Sequence, residues 1–169
     1  LQVFAGVTPV SVGGDSIGGT IIAETVPPEF ATPGGAPLRS GEVGAYYRSN
    51  NAALGGHATA TYATETASIR YSGSHAQADN YTAGGDFKTS PETGRQGHTL
   101  PLDEVGSTAY ETRNHSLNLA LQRGDNVYEL ELGYQDMPEQ RYPNQRMDLL
   151  DNEQQRIKLS WSGVFDWGG

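Results

Sequence analysis

The sequence has no cysteine, so neither a disulfide scaffold nor a thiolate-ligated metal site is open to it. Hydrophobic residues make up only 36% while glycine reaches 22 residues, a composition too thin in leucine and isoleucine for a helix bundle. Cations are in the minority: 11 Lys+Arg face 20 Asp+Glu, and a net charge of -9 speaks against a nucleic-acid partner, whose backbone calls for a basic footprint. No apolar run approaches the ~20 residues of a membrane helix. The opening Leu1-Gln2-Val3-Phe4 reads as mid-strand, as if continued from something longer, and not as a charged-then-apolar leader. Two readings survive. One is a soluble all-β domain; the other is a piece of transmembrane β-barrel, whose strands alternate and so never register as hydrophobic in bulk.

What is present is alternation. Leu117, Leu119 and Leu121 interleave with Asn118, Ala120 and Gln122, and Tyr128, Leu130, Leu132 and Tyr134 interleave with Glu129, Glu131, Gly133 and Gln135. Ile157, Leu159, Trp161 and Phe165 do the same against Arg156, Lys158, Ser160 and Ser162. A weaker alternation runs through Ala58, Ala60 and Tyr62, and through Ile69 and Tyr71. Six strands are expected, over 41–49, 55–63, 67–80, 108–122, 126–136 and 154–165.

The connections alternate in length. Thr64-Glu65-Thr66 and Arg123-Gly124-Asp125 are tight hairpins, and Asp166-Trp167-Gly168-Gly169 reads as a third turn. Long polar stretches over 81–107 and 137–153 fall at the opposite end, the asymmetry of an outer-membrane barrel, with short periplasmic turns and long external loops. In that setting the apolar faces meet lipid, and Arg70, Glu129, Glu131, Arg156 and Lys158 all point into the lumen, with Glu131 and Lys158 as candidate neighbours. Tyr128, Tyr134, Trp161, Phe165 and Trp167 lie near strand ends, where interface girdles belong. In a soluble sandwich the same Tyr/Leu face would be core.

Residues 1–40 differ in character, being glycine-rich with prolines at 9, 27, 28, 33 and 37, a short strand at Thr20–Thr25 and a linker from Pro27 to Pro37. Gly6-Val7-Thr8-Pro9-Val10 and Gly13-Gly14-Asp15-Ser16-Ile17-Gly18-Gly19-Thr20-Ile21 resemble the C-terminal end of the plug domain of TonB-dependent outer-membrane receptors. The stretches GEVGAYYRSNN at 41–51, NYTAGGDFK at 80–88 and YPNQRMDLLDNEQQRIKLSWSGVFDWG at 142–168 resemble the start of that family's barrel. The resemblance implies an all-β, antiparallel transmembrane barrel of about 22 strands filled by a plug. Of it this sequence would carry the plug's end and linker at 1–38 and about six barrel strands at 39–169. It further implies a bacterial outer-membrane location, energised uptake of a scarce ligand (a ferric siderophore or other metal chelate in most of the family) and contact with lipid and lipopolysaccharide. Coupling to the TonB complex would run through a segment outside this sequence. Neither enzymatic activity nor a resident cofactor is implied. A passive porin lacks a glycine-rich domain before its first strand, which separates it from this reading.

Candidate chemistry is sparse. GGDSIGG lacks the Lys-Ser/Thr and the following helix of a phosphate loop, and its glycines suit tight turns and close approach instead. Ligand contacts are sought in the long loops: His98 in the first, and Asp136, Met137, Arg141, Arg146 and Met147 in the second, with Asp148 and Asp151 beside them. Thioether and imidazole suit copper, clustered carboxylates suit calcium, and the two arginines suit an anionic chelate, but the spacings match no metal motif and fix no metal. Ser74-His75 and His115-Ser116 are strand neighbours pointing to opposite faces, unable to form a nucleophile-base pair. Asp103-Glu104 are adjacent without the spacing of a catalytic carboxylate pair, and Asn114-His115-Ser116 matches a glycosylation acceptor by pattern only.

Overall fold

The computed structural model describes residues 2–4, 20–22, 26–142 and 148–164. The fold is all-β. Near the N-terminus β1 (Gln2–Phe4) and β2 (Thr20–Ile22) pair antiparallel. The chain then builds β3 (Leu38–Arg48), β4 (Ala53–Ala63) and β5 (Ala67–Ala78), makes an excursion containing the small pair β6 (Tyr81–Thr82) and β7 (Glu104–Val105), and returns for β8 (Tyr110–Arg123), β9 (Asn126–Gln140) and β10 (Leu149–Ser162). The six long strands form one antiparallel sheet in the order β10-β9-β8-β5-β4-β3, a meander without crossovers whose edges are β3 and β10. Among the described residues no helix is long and apolar enough to cross a membrane, which leaves strand-borne spanning untouched.

All six expected strands are present, and three run at least three residues further at one end than alternation indicates. β3 starts at Leu38, β9 continues to Gln140 and β10 begins at Leu149. The sequence reading ends this strand at 136; the chain continues past Pro138, which cannot donate to a ladder, because the register between β8 and β9 shifts there, Glu111 facing Glu139 and Arg113 facing Asp136. Thr112 alone thus opposes Met137 and Pro138, a bulge that tolerates the missing N–H. Asp136 and Met137 accordingly lie in β9 and Asp151 in β10, not in a loop spanning 137–153; that connection shrinks to 141–148. The short strand expected over 20–25 is described as β2 to Ile22. The third turn, with Phe165 and Trp167, lies outside the described residues, as do Arg146 and Met147.

Turn chemistry sets the tight end. Gly124 adopts φ 60°, the left-handed conformation that glycine takes without a Cβ penalty, and Thr64 Oγ1 accepts from the Ala67 N–H at 3.1 Å to close the other hairpin. At the opposite end lie 49–52, 79–109 and 141–148, so both long connections share one rim of the sheet.

The register assigns the two faces. One carries rows such as Tyr62–Ile69–Leu119–Leu130–Leu159 and Ala60–Tyr71–Leu117–Leu132–Ile157; the other carries Thr61–Arg70–Asn118–Glu131–Lys158 and Thr59–Ser72–Ser116–Gly133–Arg156. In a water-soluble sheet the first face would be covered. Here it is open: Leu159 is 79% exposed, Ile157 74% and Val43 83%, whereas Glu131 on the polar face is 6% exposed and Thr61 and Ser68 7% each. Polar side chains from five consecutive strands line one groove of about 330 Å³, so the sheet curls toward its polar side.

Candidate functional site

The polar, concave face concentrates the chain's hydrogen-bonding side chains in two tiers. Nearer the tight turns, Arg70, Glu129, Glu131 and Lys158 line one groove. Lys158 stands opposite Glu131 in the ladder, yet the Glu131 carboxylate pairs with the Arg156 guanidinium one row away. A buried carboxylate keeps its charge only with such a partner, and Arg156, with its side chain 60% exposed, supplies it from the rim of the groove.

The upper tier is mostly uncharged, with Arg156 at one side and His57, paired with Glu42 at 3.3 Å, at the other. Gln135 Nε2 donates to Asn114 Oδ1 (2.7 Å), Asn114 Nδ2 reaches Thr112 Oγ1 (3.2 Å) and Ser74 Oγ (3.4 Å), and Asn118 Nδ2 donates to Ser116 Oγ (3.1 Å). Two of these bonds run laterally, linking β5, β8 and β9 through Asn114, and two run along β8. They leave spare donors and acceptors facing the groove, a surface suited to polar backbone or hydroxylated partners.

The segment ahead of β3 lies on this face. Ala31 N–H donates to the Thr64 carbonyl (3.0 Å) and Gly34 N–H to Glu65 Oε1 (2.6 Å), tying it to the tight turn between β4 and β5. Val26, Pro27, Pro28 and Glu29 then share the lower groove with Arg70, Glu129, Glu131 and Lys158. Pro27 and Pro28 favour an extended backbone where the segment enters the groove, and the chain turns at Pro33-Gly34, where Gly35 N–H donates to the Thr32 carbonyl (2.9 Å).

The apolar face is bounded by polar aromatics. Toward the tight turns, Trp161 pairs with Tyr128 and Tyr128 with Leu121, and the Trp161 indole N–H donates to Asn126 Oδ1 (3.1 Å). Toward the long connections, His115 lies between the rings of Tyr71 and Tyr134, with centroids 6.1 and 6.3 Å away, and shares a 2.7 Å hydrogen bond between Tyr71 Oη and its Nδ1. Gly73 makes this possible, since a Cβ there would lie 2.6 Å from Tyr71 Oη. One row further, His75, Arg113, Asp136 and Glu153 end the apolar belt with charge. From Leu121 to His115 the belt covers about 20 Å of strand at ~3.3 Å per residue.

The loop candidates are dispersed. His98 sits exposed in the 79–109 connection, where its Nδ1 and carbonyl both engage Thr93 Oγ1 (3.0 and 2.9 Å). Asp136 lies on the apolar side of the sheet, paired with Arg113 at 3.2 Å, and Arg141 pairs with Glu139 just beyond β9. Among the described residues no group of three His, Asp or Glu is placed to hold a metal ion. Ser74 and Ser116 lie on the polar face and His75 and His115 on the other, as strand neighbours must. Sequence reasoning passed over Asn114, Gln135 and Asn118, although the alternation that found the charged residues places them on the same face. Asn50, whose side chain bonds the Thr82 backbone, and Asn80, whose side chain accepts from the Thr108 and Ala109 N–H groups, had no periodic signal to find them.

Comparison with protein-family models, with curated proteins and with solved structures finds no match to this chain.

Proposed function

We propose that this chain is a stretch of a TonB-dependent outer-membrane receptor, residues 1–38 being the end of its plug and linker and 39–169 the first strands of a barrel of about 22. The reading rests on one observation: the apolar face of the sheet is open while the polar face curls inward and is occupied by the preceding segment. A contiguous apolar surface of this kind marks a membrane or protein contact. Aromatic borders at both ends and a charged row beyond one of them fit a bilayer, and about 20 Å of apolar strand approaches the ~25 Å band of outer-membrane barrels.

In this proposal Arg70, Glu129, Glu131, Arg156 and Lys158 hold the plug side of the lumen through charge-assisted bonds. Each contributes roughly 1.5–3 kcal/mol, so a pulling partner loosens a few of them long before it disrupts six paired strands. The partner is the TonB complex, acting on a segment outside this sequence. The long connections contribute to an external vestibule for a scarce ligand, a ferric siderophore or other metal chelate, with His98 and Arg141 as its candidate contacts here. Asp136 drops out of that set because it faces the lipid side.

The test is sedimentation of the full 169-residue chain in plain buffer and in detergent micelles. Aggregation in buffer with a folded β signal in detergent is the expected result. A folded monomer in buffer alone overturns the membrane reading and favours a soluble binding module.

A further inference from the structure

The 79–109 connection is not a slack loop. Its base is clasped by one side chain: Asn80 Oδ1 accepts from the N–H groups of Thr108 (3.0 Å) and Ala109 (3.1 Å), and Asn80 Nδ2 donates to Glu104 Oε1 (2.7 Å). One flank is fixed to the β3–β4 turn by a reciprocal amide clamp, Asn50 Nδ2 to the Thr82 carbonyl and Thr82 N–H to Asn50 Oδ1, both 2.8 Å. Backbone bonds continue inward, Ala83 N–H to Asp103 O (2.8 Å) and Leu100 N–H to Pro91 O (2.9 Å), so the excursion carries its own structure out to the tip. At the far flank, among the described residues, one ion pair, Arg95 Nη2 to Asp148 Oδ2 at 2.8 Å, joins the tip to the residue that precedes β10.

In the sheet order Asn80, just after β5, lies three strand positions from Asp148, just before β10, and Asn50, between β3 and β4, lies four to five. That is about 14–24 Å along the sheet at ~4.8 Å per strand. The connection therefore crosses the rim from one side of the sheet to the other. Its attachments are unequal. Of the five bonds just described at the Asn50 and Asn80 end, four join neutral groups and are insensitive to salt, and the fifth goes to the Glu104 carboxylate. The Arg95 end has one charge pair, with Arg95 71% exposed, which ionic strength weakens.

We infer that residues 79–109 form a strap across this rim, permanently hinged at Asn50 and Asn80 and latched at its free end by Arg95–Asp148. Opening the latch releases the tip as a preformed unit while the base stays in place. The strap turns on contacts within the chain and holds whether the sheet sits in a bilayer or in water.

Because the chain lacks cysteine, a nitroxide pair at Gln96→Cys in the tip and Thr66→Cys in the opposite turn reports the tip position in the full chain, in the medium that keeps it monodisperse. The parent should give one narrow distance distribution. Asp148→Asn, and independently Arg95→Gln, should add a second population, with a roughly two- to fivefold rise in the undocked-to-docked ratio, and 1 M salt should move the parent in the same direction. A third variant, Asn80→Ala, should broaden the distribution beyond either latch variant by loosening the hinge. A parent distribution already broad, or latch variants identical to the parent, would overturn the strap.

Discussion

The two faces of the sheet are made from the same strands and obey opposite rules. On one, leucines, isoleucine and tyrosines stand open to the surroundings; on the other, a glutamate is buried. In water, folding gains most of its free energy by hiding the first kind of surface; in the proposed reading the open apolar face is tolerated because it meets lipid. The polar face then has to satisfy its hydrogen bonds internally, which explains the lateral amide ladder through Asn114 and Gln135 and the pairing of Glu131 with Arg156.

The contrast can be broken by moving charge across it. Leu119→Arg, in the central apolar row, should cost roughly 2–4 kcal/mol of folding stability in a bilayer or micelle, measured by urea titration of the β signal. A cost within ~0.5 kcal/mol would mean that this face meets water. Gly124→Ala forces a side chain into a left-handed turn and should cost about 1–2 kcal/mol in any medium, providing the baseline for a defect that belongs to neither face. Glu131→Ala should cost about 1 kcal/mol, because Arg156 is half in solvent and recovers part of its hydration; the same titration in high salt should shrink the difference.

The smallest effect sharpens the border of the apolar face. Gly73→Ala pushes on Tyr71 Oη and should remove its bond to His115, a loss of roughly 0.5–1 kcal/mol. Tyr71→Phe removes the obstructing hydroxyl, so in that background Gly73→Ala should cost less, the ring Cζ at 3.1 Å and His115 Nδ1 at 3.3 Å remaining as close contacts. A full cost in both backgrounds would place the clash elsewhere.

Much of this contrast was legible in the sequence because a strand writes its two faces at a period of two. Leu117, Leu119 and Leu121 or Tyr128 to Tyr134 need no structure to be placed on one side, and Arg70, Glu129 and Lys158 fall on the other by the same count. Alternation ceases where a ladder is irregular. The alternation of β9 was followed only to 136, and only the pairing register reveals that the strand passes Pro138 through a bulge that accommodates its missing N–H. Met137 was assigned to a loop for that reason. The strap was illegible for a different one: Asn50, Asn80, Arg95 and Asp148 are drawn from four separate points of the chain, and nothing local distinguishes an asparagine that clasps a loop from one that faces water.

The central claim is that the even-numbered residues of β9 face lipid and the odd-numbered ones an aqueous interior. Single cysteines placed in turn from Val127 to Gln135 in this cysteine-free chain, spin-labelled in lipid vesicles, can be probed with oxygen, which concentrates in the bilayer, and with a water-soluble nickel chelate. The account predicts oxygen access at 128, 130, 132 and 134 and nickel access, or protection from both, at 129, 131, 133 and 135. Protection of the even positions from both reagents, as in a soluble core, or nickel access there, would contradict it.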